Sequence, residues 1–312
     1  MVFAKIYIVA SICVAVSSFA PTRVPRTTPS RVLSSHQNVF DAVELPDFDC
    51  VFEKIQQLSP LARSIIDAES LSVTTDDAKL RWKTLESNEK KPVQQIQKLD
   101  CFGGFSTPVF RFRSKLEGPC IGEFFGRYII DLDERRKWDA QIEKVHELHI
   151  LKDLERVNER MGGGRYGQCS RLGIGYGQTK ASIITAREQM FMYGLQQFKD
   201  GSSLIWGKEM SDEYNHLLPP GERHIRSKSH LFSATLKPSD NNSFDVEYVL
   251  QLDIGGSIPN FLTTPVLIDT VKSLFETAKQ EFAGATDSLQ LFLQEKIHEE
   301  SHINWHGLLN PM

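Results

Sequence analysis

No run of 18 apolar residues occurs in the 312-residue chain, so no segment reads as a permanent membrane span. There is no long basic run either, and the formal charge of −4 argues against a nucleic-acid protein. Cysteine is sparse. Cys13, Cys50, Cys101, Cys120 and Cys169 stand far apart, with no Cys-x-x-Cys pair and no neighbouring histidine. That excludes a zinc cluster and a thioredoxin motif and leaves reduced, mostly buried thiols. The Gly-x-Ser-x-Gly nucleophile elbow is missing, as is any Cys/His pairing for covalent catalysis. What is present is ordinary: 40% apolar and 24% charged residues exclude a disordered chain, a collagen and a coiled coil.

Acids are absent from the first forty positions. Lys5 precedes an apolar run, Ile6 to Val16, and the small residues Val16, Ser17 and Ser18 suit a signal peptidase. Residues 1–18 therefore read as a signal peptide. Phe19-Ala20-Pro21 follows, then a Ser/Thr/Pro-rich stretch with Arg23, Arg26 and Arg31 and no acid until Asp41. Residues 19–40 have transit-peptide composition. The combination resembles the bipartite plastid presequence of diatoms and related algae, which implies a secondary plastid; the alternative is plain secretion. Residues 1–40 hold four of the 36 basic and none of the 40 acidic residues, so the rest of the chain carries a formal −8. Lasting attachment to an anionic membrane is not expected of such a body; transient contact is.

Residues 41–91 read as a helical extension. Phe48, Val51, Phe52, Ile55 and Leu58 share one helical face, Ser59-Pro60 opens a second helix, and a third is expected from Asp76-Asp77 through Leu80, Trp82 and Leu85. From Pro92 the period changes to the alternation of half-buried strands, first in VQQIQKLD and PVFRFRSKLEG. A helix is expected over residues 120–139, then a strand from Val145 to Leu151, then a glycine-rich loop region over 153–180. Strands follow in ASIITAREQMFMYGLQQF, SSLIWGKEM, HIRSKSHLFSATLKP and SFDVEYVLQLDIG, joined by short turns. A long helix runs from Pro259 to about Ala283, with Leu267, Val271, Leu274, Phe275, Ala278 and Phe282 in one stripe. Residues 284–312 read as a polar helix and tail.

Strands joined by short turns make an antiparallel sheet. One helix cannot cover both faces, so it should lie in a concave side while the other face meets water. Along the last strand Val246, Tyr248, Leu250, Leu252 and Ile254 should face the helix, and Asp245, Glu247, Val249, Gln251 and Asp253 the solvent. Ser227, Ser229 and Ser233 alternate in the same way on the strand before it. Small hydroxyl side chains on an inward face favour a cavity with sparse polar anchors.

Four blocks of residues resemble, in order, those of the START domains, the steroidogenic-acute-regulatory-protein-related lipid transfer family. They are IIDLDERRKWD, TAREQMFMYG, LLPPGERHIRSKSHLFSATLKP and YVLQLDIGGSIPNFLTTPVLIDTVKSLF. The resemblance covers about residues 80–283 and places the domain at 92–283. It implies an α+β helix-grip fold: a curved antiparallel sheet wrapped around the C-terminal helix over an internal hydrophobic tunnel. It also implies a monomeric carrier of one hydrophobic molecule (a lipid, sterol or pigment) without catalysis and without a cofactor. Tyr193 stands where many members carry a second basic residue, which points to a less polar ligand. The ligand-lining set is then Tyr193, Ser227, Ser229, Tyr248, Leu250 and Leu252 from the sheet, with Phe261, Val271, Leu274 and Ala278 from the helix.

Other chemistry is weaker. Gly162-Gly163-Gly164-Arg165-Tyr166-Gly167 fits G-x-G-x-x-G, but a dinucleotide site needs a strand before it and a helix starting on it. His298, His302 and His306 recur every four residues, yet Asn304, Gly307 and Pro311 erode that helix and no acid or thiol completes a metal set. Asp131, Asp133, Glu134, Arg135, Arg136 and Asp139 surround Trp138 at spacings that suit ion pairs on a solvated helix face. The runner-up function is a helix-grip enzyme, a cyclase or hydrolase acting in the same cavity, with Tyr193, Tyr248 and Arg187 as the titratable candidates. A third is a protein that only docks partners.

Overall fold

The computed structural model describes residues 43–69, 80–117, 142–151, 153–162, 164–179, 186–218, 224–239, 243–256, 258 and 260–284. Residues 1–42, the helix expected around Trp138 and the histidine-bearing tail lie outside the described residues. Two helices open the described chain, α1 (Phe48–Leu58) and α2 (Pro60–Glu69). Ten strands follow: β1 (Lys83–Ser87), β2 (Val93–Leu99), β3 (Val109–Glu117), β4 (Ile142–Ile150), β5 (Gln168–Thr179), β6 (Arg187–Gln197), β7 (Ser203–Glu209), β8 (Ile225–Arg226), β9 (Lys228–Ser239) and β10 (Ser243–Asp253). A short helix α3 (Glu155–Arg160) precedes β5, and α4 (Asn260–Gly284) closes the order.

One sheet holds all ten strands, in the order β1-β2-β3-β10-β9-β7-β6-β5-β4, with β8 attached in parallel to β6. Every other pairing is antiparallel. The sheet curves around α4. Phe110 and Phe112 of β3, Phe191 and Leu195 of β6, Phe232 and Leu236 of β9, and Tyr248 and Leu250 of β10 form one buried cluster with Val266, Leu267, Val271, Phe275 and Ala278 of α4. This is the concave side the alternation predicts.

The opposite face does not meet water. Phe48, Val51, Phe52, Ile55 and Leu58 of α1 and Ile65 and Ile66 of α2 cover it, packed with Leu172, Ile174 and Tyr176 of β5, Met190 and Met192 of β6, Trp206 of β7 and Val249 of β10. Phe48 and Phe52 meet the Trp206 ring edge-on at centroid distances of 6.0 and 5.9 Å. Glu247, Val249 and Gln251, expected in solvent, are therefore buried. Their polar groups are met by the chain itself. The Gln251 amide donates to the carbonyls of Phe102 and Thr107, both at 3.0 Å. The Glu247 carboxylate accepts from the Ser59 hydroxyl (2.5 Å) and the Leu61 amide (3.2 Å) at the start of α2. Arg111 of β3 donates to the Leu58 carbonyl (2.8 Å) at the end of α1. The α1–α2 corner thus finds a negative group at a helix N-terminus and a positive one at a C-terminus. A sheet covered on both sides explains why REQMFMYGLQ in β6 is buried almost end to end.

Two local expectations give way. Residues 83–87 form edge strand β1 rather than a third helix; Trp82, just before it, stacks under the Arg111 guanidinium at 4.1 Å. The glycine-rich region is not all loop. Gly162, Gly164 and Gly167, with φ of 77°, 112° and 77°, make the turn out of α3, and GIGYGQ then lies within β5. A strand follows this turn, not a helix, so the G-x-G-x-x-G string offers no helix N-terminus to a pyrophosphate.

Candidate functional site

The concave face is apolar except for a few deeply buried polar groups. Register places Glu147 of β4 opposite Gly175 of β5, and Arg171 of β5 opposite Leu195 of β6. These carry their side chains to the α4 side. The Arg171 guanidinium donates to a Glu147 carboxylate oxygen at 2.8 Å and to the Tyr193 hydroxyl at 3.4 Å. The Tyr193 hydroxyl donates to the other Glu147 oxygen. The Glu147 side chain is 2% exposed and Arg171 17%. Burial pushes the Tyr193 phenol well above its usual range, so it stays protonated and acts as a donor.

Tyr193 reaches this position because the strand beside it has no side chain there. A β-carbon on Gly173, its register partner, would lie 2.4 Å from the Tyr193 hydroxyl oxygen. The alternating glycines of β5 are thus the concave half of a strand whose other half, Leu172, Ile174 and Tyr176, packs beneath α1.

Of the sequence-predicted lining residues, the structure brings Tyr193, Tyr248, Leu250, Leu252, Val271 and Ala278 into the one concave cluster, with Leu274 packed against it. Ser229 pairs with Leu252 and shares its face. Ser227 is buried, its amide and hydroxyl both turned to the Glu188 carbonyl at 2.9 and 3.3 Å. Phe261 lies in the first turn of α4; its side chain is outside the described residues. Ser233 does not belong with Ser229. The register skips His230, pairing Gln251 with Leu231 but Leu252 with Ser229. This bulge reverses the alternation, and Ser233, opposite Val249, faces the α1–α2 side.

Glu147 and Arg171 were not anticipated as site residues. Each is a single charge at an alternating strand position, Arg171 beside a run of inward glycines, and that was the available signal. Arg187, at the head of β6, donates to the Ile254 carbonyl at 2.8 Å. Its neighbour Glu188 faces the other way, where the Tyr176 hydroxyl donates to it at 3.2 Å. Among the described residues no group of three His, Cys, Asp or Glu is placed to hold a metal.

At the root of α4 a groove is lined by Thr107, Pro108 and Phe110, by Leu252 to Gly256, and by Ile258, Thr263, Thr264 and Leu267. Gly255 (φ 70°) and Gly256 (φ 76°) form its rim, and a β-carbon on Gly255 would strike the Arg226 carbonyl oxygen at 2.2 Å.

The chain superposes on the crystal structure of human STARD10 with a TM-score of 0.52 at 14% identity, over 86% of this chain and 91% of that one. It has the START-type helix-grip fold. The human StarD13 (DLC2) lipid transfer and protein localization domain gives 0.49 at 11% identity, over 77% of this chain and 98% of that one. Human StAR-related lipid transfer protein 5 gives 0.46 at 15%, over 80% and 99%. No family model matches the sequence, and no curated protein does.

Proposed function

We propose that the protein binds one hydrophobic molecule between the concave face and α4 and carries it between membranes unchanged. The observation that carries this is the wide apolar face closed by α4, with its polar groups confined to a few buried positions. The START-type helix-grip fold, shared with human STARD10, supports it. A carrier role suits the chemistry of the face: Tyr193 is held protonated by burial, and Arg187 is engaged with the Ile254 carbonyl. Neither is poised as a general base. The purified full chain, extracted with organic solvent, should yield intact lipid by mass spectrometry and should move that lipid between vesicles. A chemically converted product would favour an enzyme, and an empty protein a docking role.

The route in and out is the α4 root. Glu86 on edge strand β1 ties the helix down: Lys272 of α4 and Lys91 both reach its carboxylate at 2.5 Å. Lys272, then Lys91, hold the Glu86 carboxyl below its usual range. A lowered pKa in the folded protein means the tie is complete above the ordinary carboxylate value and fades only as pH falls through the lowered one. Glu86→Gln should therefore speed vesicle-to-vesicle transfer about threefold at neutral pH, the scale of a partly exposed ion pair. Wild-type transfer should be flat between about pH 6 and 8 as far as this contact governs it. An unchanged rate in Glu86→Gln would remove the tie from the gate.

Residues 1–40 would direct the carrier to a secondary plastid, on the strength of the signal-like run, Phe19 and the acid-free Arg/Ser/Thr tract. A fluorescent protein fused behind residues 1–40 should enter the plastid, and Phe19→Ala should divert it. Equal plastid import of both fusions would count against the role of Phe19.

A further inference from the structure

The trio of Glu147, Arg171 and Tyr193 is not the whole polar content of the concave face. Gln189 pairs with Gly177 and alternates with Phe191 and Tyr193, which puts it on the α4 side. It is 2% exposed. Neither its amide nitrogen nor its carbonyl oxygen has a hydrogen-bond partner; among the described residues it is the one side chain with both polar ends buried and unmet. Ser229 shares this face. The Ser227 amide donates to the Glu188 carbonyl, so the chain entering β9 runs beside this stretch of β6, and Ser229 follows two residues on. The Ser229 hydroxyl is buried and unmet as well. Its register partner Leu252 lines the groove at the α4 root.

Folded proteins rarely leave an amide with both ends buried and unanswered. It sits on the face that α4 closes, opposite Gly177, which leaves β5 bare there. It is also four residues from Tyr193 along β6, about 13 Å away. The charged groups deep in the face already have protein partners, Glu147 with Arg171 and Arg187 with the Ile254 carbonyl. An anionic head group would compete with the Glu147 carboxylate already beside Arg171. A neutral group offering both donor and acceptor would meet the Gln189 amide without doing so.

We propose that Gln189 and Ser229 form a second polar station, which hydrogen-bonds the uncharged hydroxyl, ester or amide group of the carried lipid. The inference rests on the carrier reading and specifies its ligand class as an uncharged lipid with a polar head. Three probes test it on the full chain: a diacylglycerol with a fluorescent acyl chain, the phosphatidic acid with the same chains, and an alkane bearing the same fluorophore. Wild type should bind the diacylglycerol more tightly than the phosphatidic acid. Gln189→Leu should weaken diacylglycerol binding about tenfold while alkane binding holds or tightens, the change expected for one buried hydrogen-bonded group. Its thermal midpoint should rise, since an unmet amide has been replaced by an apolar group. Ser229→Ala, which only deletes an oxygen, should weaken diacylglycerol binding about threefold; if Gln189→Leu does not fold, this variant decides.

Preference for phosphatidic acid, wild-type affinity for diacylglycerol in the variants, or equal loss of alkane and diacylglycerol would each overturn the station while leaving a carrier. Failure of wild type to bind any of the three probes would overturn the carrier reading and the station with it.

Discussion

Glu147→Leu should destabilise the protein by about 3–5 kcal/mol, because it leaves the Arg171 guanidinium in a buried place without the carboxylate it was folded against. The double variant Glu147→Leu with Arg171→Met should recover most of that loss. Replacing a buried ion pair by apolar side chains of similar size removes the desolvation cost along with the attraction, and often comes out neutral. Chemical denaturation of the wild type, the two single variants and the double variant gives the coupling directly. A single-variant cost within about 0.5 kcal/mol, as for an ordinary surface change, would show that the pair does not act as a buried unit. The double variant also separates folding from binding. If it is stable but retains less lipid through purification, the trio serves the ligand; if it retains lipid normally, the trio serves the sheet.

How far the sequence carried is instructive at this pair. The elements around it were legible. TAREQMFMYG reads as a strand, the stripe through Leu267, Val271 and Ala278 reads as a helix, and the alternation in β10 correctly sends Tyr248, Leu250 and Leu252 to that helix. What alternation cannot show is whether the other face is dry. Glu247 and Gln251 looked like solvent residues because they are polar, yet both are buried under α1 and α2, with their hydrogen bonds met by the chain. A buried carboxylate and an exposed one have the same letter; only the partner tells them apart, and Ser59 is 188 residues away.

Phase errors have a different origin. A bulge at His230 adds one residue to β9, so Ser229 and Ser233 look in opposite directions although their spacing says otherwise. Glycine misled for a third reason. In GIGYGQ it signals a turn by composition, but its role is to let the Tyr193 ring lie flat against β5. Arg171 falls in the neighbouring residues read as loop, where there is no alternation to interpret, whereas Glu147 stands on the strand expected from Val145 to Leu151 and lacks only its partner.

The second large effect belongs to the convex side. Glu247→Leu removes the carboxylate that accepts from the Ser59 hydroxyl and the Leu61 amide, so the first turn of α2 loses both its side-chain partner and the negative charge at its N-terminus. The Glu247 side chain is 2% exposed, which makes these charge-assisted bonds poorly replaced by water. Arg113, whose Nε also reaches Glu247 at 2.5 Å, is 40% exposed and can turn to solvent, so its loss adds little. The expected cost is about 2–3 kcal/mol, carried by the two bonds to the α2 start. Since Phe52, Ile55 and Leu58 of α1 cover Trp206 and Val249 through this same corner, the loss should appear first there. Amides of Phe48–Leu58 and Pro60–Glu69 should exchange with deuterium faster than those of β9 and β10, while lipid held on the opposite face remains bound. Glu247→Gln should lose less, because its carbonyl still accepts from Leu61. If Glu247→Leu denatures at the wild-type midpoint, or exchange quickens uniformly across sheet and helices, the corner is not what seats α1 and α2. Their attachment would then rest on the apolar contacts around Trp206 alone.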